Sequence, residues 1–391
     1  MSKISRRRII GILFPTLLLV CPHFVLAKKL AVKVISSQTI CQQQDRYIGW
    51  PTVVLTRDKE LLAVFSGDRD AHVCPYGKTQ MVKSSDQGAT WSAPMTINNT
   101  PLDDRDAGII QTRKGTLLVS WFTSLAFMRY NIKPAEMQAG WQRHVEKLSP
   151  ETRQAWIGNW IRRSSDGGRT WGEYIDTIVN APHGPVELAD GRLLYAGISG
   201  KIGDSESPAP PAGKRIAVAE SRNDGKTWKI ISYIPIPEGV ENGEDGFHEL
   251  HAVETAGGKI VAMIRHHGSP GDKYLWQSDS RDGGKTWTQA RPTDIWGLPP
   301  HLIRLKNNWL LVTYGRRKAP FSERACISRD EGATWDVANE LNIADAPNGD
   351  LGYPASVQLD DGSIYTVYYQ VAQLGEKTCL MGTRWRIEES D

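Results

Sequence analysis

Apolar residues along this chain come in pairs of short runs separated by a turn. Six such units are present: Thr52 to Phe65, Gly108 to Phe122, Gly184 to Ile198, Leu250 to Arg265, Pro300 to Gly315 and Ala355 to Tyr369. In each, two apolar stretches flank a cluster of Gly, Asp or Asn, which predicts two antiparallel strands joined by a turn. Out of phase with them, one octapeptide, S-x-D-x-G-x-T-W, recurs five times, starting at Ser84, Ser164, Ser221, Ser280 and Ser328, with Asn223 for the aspartate in the third copy. The pattern suits a hairpin turn: a short polar side chain captures backbone N–H groups, glycine takes positive φ, and tryptophan opens the next strand on its buried side. Six first hairpins, five of them followed by a second, make six four-stranded sheets. The predicted fold is therefore an all-β, six-bladed propeller. The sixth unit has no octapeptide, so Thr378 to Ile387 is expected to supply its third strand and Leu30 to Ser36, from the other end of the chain, its fourth, leaving no open edge. Met128 to Trp156 departs from the pattern; rich in Glu, Gln, Lys and Ala, it predicts a small helical insertion in blade 2, about residues 127–157.

Length and charge refine this picture. The first 27 residues read as an export signal, with Lys3, Arg6, Arg7 and Arg8 ahead of an apolar run and Val25-Leu26-Ala27 as the cleavage site. Residues 28–391 then form a single propeller domain, secreted or periplasmic, with no membrane span. The signal holds four positive charges and no negative ones, so the net charge of +3 becomes +3 − 4 = −1 without it. A near-neutral chain points away from nucleic acid as a partner. Cys41, Cys74, Cys326 and Cys379 are not spaced as zinc ligands; a Cys41–Cys379 disulfide would tie the two ends together, free buried thiols being the alternative. No metal or other cofactor is expected, and the chain is expected to be a monomer.

Strand direction assigns residues to faces. In a four-stranded blade the start of strand one, the end of strand two and the start of strand three share one face, and the octapeptides lie on the other. The shared face collects Trp50, Asp106, His183, Glu249, His251, His301 and Tyr353 from inner-strand starts. Asp68, Asp70, His72, Arg265 and Arg317 come from second-strand ends, and Arg324 from the start of a third strand. Arginines on several blades around one axis repel each other unless an anion or carboxylates lie between them. This face is therefore read as a ligand site.

The octapeptides, known as Asp-boxes, together with these Glu, Arg and Tyr positions, resemble the sialidase (neuraminidase) superfamily over nearly all of the mature chain. The resemblance implies that the ligand is a glycan or an acidic sugar, and that the chain is an exo-acting, retaining glycosidase in which a glutamate-activated tyrosine is the nucleophile, an aspartate is the acid/base and three arginines hold the sugar carboxylate. A tyrosine suits such a substrate because a carboxylate nucleophile would be repelled by the sugar's own carboxylate. By motif, Tyr353 in Gly352-Tyr353-Pro354 resembles the nucleophile, Glu249 in His248-Glu249-Leu250 its base, and Arg265 the second arginine. The third would be Arg324 or Arg317, and the acid/base Asp70 or Asp68. The first arginine is missing: Ile48-Gly49-Trp50-Pro51 carries glycine where the family has arginine, leaving Arg46 displaced and Arg69 or Arg105 as substitutes. His72, Asp106, His183, His251, His301 and Trp50 are expected to line the substrate site. The alternatives are a propeller lyase or another glycosidase acting on uronates or other sugars through a His/Tyr pair, and a non-catalytic carbohydrate-binding propeller.

Overall fold

The computed structural model describes residues 29–130, 135–200, 210–269 and 272–390. The expected signal segment lies outside the described residues. Five blades are built from consecutive strands: Tyr47–Leu55, Leu61–Arg69, Lys78–Ser84 and Met95–Asn98 form blade 1, and Asp103–Gln111, Leu117–Ser124, Asn159–Ser164 and Ile175–Asp176 form blade 2. In blade 3 the inner strand is broken into Val179–Asn180 and Val186–Glu187, both paired to Leu193–Ser199, with Ile216–Ser221 and Lys229–Tyr233 outside. Blade 4 runs Phe247–Glu254, Ile260–His266, Tyr274–Ser280 and Arg291–Trp296; blade 5 runs Leu298–Arg304, Leu310–Arg316, Ser322–Ser328 and Leu341–Asp345. Blade 6 takes Gly352–Gln358, Ile364–Val371 and Thr378–Ser390 from the C-terminal end and Lys29–Cys41 from the N-terminal end, in register from Lys29 opposite Ser390 to Cys41 opposite Leu380. The fold is the six-bladed propeller that the hairpin pattern predicts.

The second strands read as unbroken apolar runs for a physical reason. Leu61 to Phe65 and Ile260 to Ile264 are wholly buried because each blade is covered on both faces by its neighbours. The insertion in blade 2 folds as helices Ala135–Glu146 and Pro150–Trp156, the second started by Ser149, whose hydroxyl accepts from Thr152 N at 3.2 Å. Trp141 of the first helix is buried with Cys74, Leu102, Phe127 and Ile157, fixing the insertion to the loops of blades 1 and 2.

All four cysteines among the described residues are free and buried. The Cys41–Cys379 bond is not formed: Cys41 lies opposite Leu380, and residues one step apart on a strand point to opposite faces. Burial pushes the Cys41 thiol up to about 12 and the Cys379 thiol up to about 11, which leaves both unreactive.

Each octapeptide turn repeats one hydrogen-bond set. In the second, Gly168 N donates to Ser164 Oγ at 2.9 Å, and Thr170 N and Oγ1 donate to the two Asp166 oxygens at 3.0 and 2.6 Å. Asn223 keeps the backbone bond from Thr227 N at 2.9 Å but reverses the side-chain one, its amide donating to Thr227 Oγ1 at 2.9 Å. Ser164 is buried, so Ser164→Ala leaves the Gly168 N–H without a partner. The expected cost is about 1–3 kcal/mol in urea unfolding, with no change in activity because the turn lies on the face opposite the ligand site.

Candidate active site

The site is made by irregularity at the axial ends of the inner strands. Register shifts occur at Gly49/Thr52, Arg105/Gly108, Phe247/Leu250, Leu298/His301 and Gly352/Ala355, and in blade 3 the strand is interrupted at the same level. Trp50, Asp106, His183 and Tyr353 take φ values of 55°, 51°, 74° and 54° there. Such positive φ is uncommon outside glycine and is held in place only by surrounding structure. The bulges turn these side chains toward the axis. Gly108 is required for the close approach of blades 2 and 3, since a Cβ there would lie 2.3 Å from Gly184 N.

The bulges surround a cavity of about 240 Å³, lined by Arg105, Asp106, Glu249, Arg265, Arg317 and Tyr353 and walled by His72, Phe122, Ser124, Asn180, His248 and His267. Within it the Tyr353 hydroxyl donates a short hydrogen bond to Glu249 Oε1, and Arg265 Nη1 donates to Glu249 Oε2 and lies 3.4 Å from the Tyr353 oxygen. Burial pushes the Tyr353 phenol well above its ordinary range, and Glu249 adds to the shift. The two carboxyl groups of the cavity diverge. Burial opposes the charge on Glu249, but Arg265 and the Tyr353 hydrogen bond outweigh it and hold its pKa at about 2. Asp106, fully buried and facing the charge of Glu249, is pushed up to about 7, and its Oδ1 has no partner among the described residues. One carboxyl is thus ionised and the other keeps its proton up to about neutrality, the separation that divides base from acid.

Three arginines converge on this cavity. Arg317 donates to Leu351 O at 2.8 Å and to the Tyr369 hydroxyl at 3.0 Å, and its guanidinium lies 5.8 Å from the Tyr353 ring centroid. Arg105 stands 4.6 Å over the Trp50 ring, with Asp103 at 3.7 Å and His72 Nε2 at 3.5 Å as its polar neighbours. The Nε atoms of Arg105 and Arg265 are buried and have no partner among the described residues. Burial, then the arginines, lower His72 to about 3, and burial with Arg265 lowers His267 to about 3; both rings are neutral.

Tyr353, Glu249, Arg265, Arg317, Asp106 and His72 are therefore brought together as the sequence suggests. Others are not. Asp70 is buried outside the cavity, where it takes Trp141 Nε1 at 2.7 Å and a short bond from Arg46; Asp68 takes Arg46 Nε at 2.9 Å and a short bond from Lys78. Arg324 turns away to Ser322 Oγ at 2.7 Å and Glu340 at 3.3 Å. Arg69 is enclosed in a two-bond pair with Asp103 at 2.6 and 2.8 Å, and the space beside Gly49 is taken by Tyr369, whose ring would meet an added Cβ at 3.4 Å. Trp50 is buried and acts on the cavity through Arg105. His183, His251 and His301 lie in the axial channel beneath, lining a separate cavity toward the opposite face. Arg105 and His248 are the cavity residues that strand alternation conceals: each directly precedes another cavity residue, and only a bulge puts two successive side chains on one side.

The BNR repeat-like domain model matches residues 125–366. A sialidase of Bacteroides fragilis is 22% identical over 362 residues, covering 81% of this chain; the chain spans 59% of that relative's length. Among solved structures, a Dyadobacter fermentans protein of unknown function is 26% identical with a TM-score of 0.70, covering 92% of this chain and 100% of its own. The intramolecular trans-sialidase of Ruminococcus gnavus, in complex with oseltamivir carboxylate, superimposes with a TM-score of 0.62 at 14% identity over 87% of this chain and 94% of its own. Its octapeptide turns, blade count and matched segment agree: the chain belongs to the BNR repeat-like domain family and is a propeller of the sialidase superfamily.

Proposed function

We propose that this protein is a retaining, exo-acting glycoside hydrolase of the sialidase type that removes a terminal acidic sugar. The observation that carries the reading is the Tyr353–Glu249 hydrogen bond in a cavity of monosaccharide size lined by Asp106 and three arginines. Glu249 takes the phenolic proton as Tyr353 Oη attacks the anomeric carbon, while Asp106 gives its proton to the departing glycosidic oxygen. The ionised Asp106 then removes a proton from water, which attacks the same carbon, and Tyr353 leaves as its proton returns from Glu249. Two inversions give retention.

Arg105, Arg265 and Arg317 hold the sugar carboxylate, with Arg105 of blade 2 in place of a blade 1 arginine. A lyase fits less well, because His72 and His267 at about 3 are too weakly basic to remove a carbon-bound proton. The test is a screen of sialosides and other acidic glycosides with Arg105→Ala alongside the parent. Hydrolysis by the parent is expected, with KM raised about 10–100-fold in the variant and kcat less affected. Cleavage of neutral glycosides alone, or an unsaturated product from a uronate polymer, would overturn the assignment.

A further inference from the structure

Beneath Tyr353 the axial channel opens toward the octapeptide face as a second cavity of about 640 Å³, lined by the inner strands and separate from the active site. At its head stand His183, His251 and His301, from blades 3, 4 and 5, each almost wholly buried. Their ring centroids lie 4.5, 4.8 and 5.7 Å apart, with His251 and His301 stacked.

The tautomers follow from the hydrogen bonds. Leu302 N donates to His251 Nδ1 at 3.0 Å and Ser356 N donates to His301 Nδ1 at 3.2 Å. A backbone N–H only donates, so both Nδ1 atoms are acceptors and the ring protons sit on Nε2. His183 Nδ1 is engaged by Thr52 Oγ1 at 3.0 Å, and its buried Nε2 has no partner among the described residues. Three rings this close, in a buried site, stay neutral. A metal at Nε2 would need that atom unprotonated, which the two backbone donors prevent unless the ring becomes an anion.

The head of the channel therefore presents the Nε2–H groups of His251 and His301 and, in the tautomer in which Thr52 Oγ1 donates to Nδ1, that of His183 as well. A water accepting from them would have to place its own hydrogens, and much of the wall, Val53, Ile109, Val186, Val253 and Val357, offers it no side-chain acceptor. The carboxylates farther down are engaged, Glu187 by Arg113 N at 2.7 Å and Glu254 by Ala189 N. Glu249, whose charge reaches His183 from the cavity above, is paired with Arg265. A small anion needs donors only, and the Nε2–H groups supply them.

We propose that the three histidines form a binding site for a small monovalent anion of halide type, entered from the face opposite the active site. The test replaces sodium gluconate by sodium bromide at fixed pH and ionic strength. A saturable rise in Tm is expected, together with a bromide anomalous peak touching at least two of the three Nε2 atoms in crystals. His183→Phe is expected to remove both signals. His183→Gln, which keeps an amide donor, is expected to retain them and guards against loss of folding in the first variant. An unsaturable response shared by the parent and His183→Phe, water alone at the site, or a transition metal bound there instead would overturn the proposal.

Discussion

Tyr353→Phe lowers kcat by on the order of 10^3-fold or more toward any substrate the parent hydrolyses, while substrate binding changes little. The ring keeps its packing against Trp50, Tyr369 and His183, whose centroids lie 6.0–6.4 Å away, so the scaffold of the cavity survives. What disappears is the oxygen that bonds Glu249 and forms the covalent intermediate. Glu249→Gln is expected to fall in the same range, since the amide cannot take the phenolic proton. The double variant is expected to be no worse than either single one, because the two groups act as one unit. Pre-steady-state kinetics with excess aryl glycoside checks this: a burst retained in Tyr353→Phe would remove the tyrosine from the chemistry.

Asp106→Asn is the second large effect, a loss of about 10^2–10^4-fold in kcat/KM that is smaller for aryl glycosides whose leaving group needs no proton. Asp70→Asn, by contrast, is expected to act on stability, since Asp70 holds Trp141 and Arg46 outside the cavity. The pH profile separates the two. The active form needs Glu249 ionised and Asp106 protonated, so kcat/KM holds between their values of about 2 and about 7 and falls as pH rises through about 7. The linked stability has a definite sign. Asp106 titrates higher in the folded than in the unfolded chain, so its contribution is fully present below about pH 4 and is lost as pH rises through about 7. Asp106→Asn is thus expected to be more stable than the parent at pH 8, with little difference at pH 4. Urea titrations at the two pH values measure it.

The blade count and the identity of the ligand face follow from five octapeptides and six hairpins, because both are periodic signals that a chain reads out locally. Tyr353, Glu249 and Arg265 are legible for the same reason, standing at strand ends whose direction the repeats determine. Arg105 is legible only as one of two substitutes for the missing arginine, because alternation would place it and Asp106 on opposite sides of the sheet and only the bulge reverses this. Asp70 misleads for a different reason: a helix inserted between strands of the next blade brings Trp141 onto it, a contact spanning 71 residues. The choice between Arg317 and Arg324 turned on Glu340, which lies 16 residues beyond Arg324 and draws it outward.

The strand Lys29–Cys41 pairs with the last strand of the chain, and Ser37 bonds Thr383 across a separation of 346 residues. Such closure sets an order of events. Five blades hold strands that are neighbours in the chain and can form as it is made, but the sixth waits for Thr378–Ser390, and the loop that its pairing with Lys29–Cys41 closes spans the other five blades. Until then Thr378–Ser390 and Lys29–Cys41 each show an unpaired edge, so removal of either strand is expected to harm assembly more than its distance from the active site suggests.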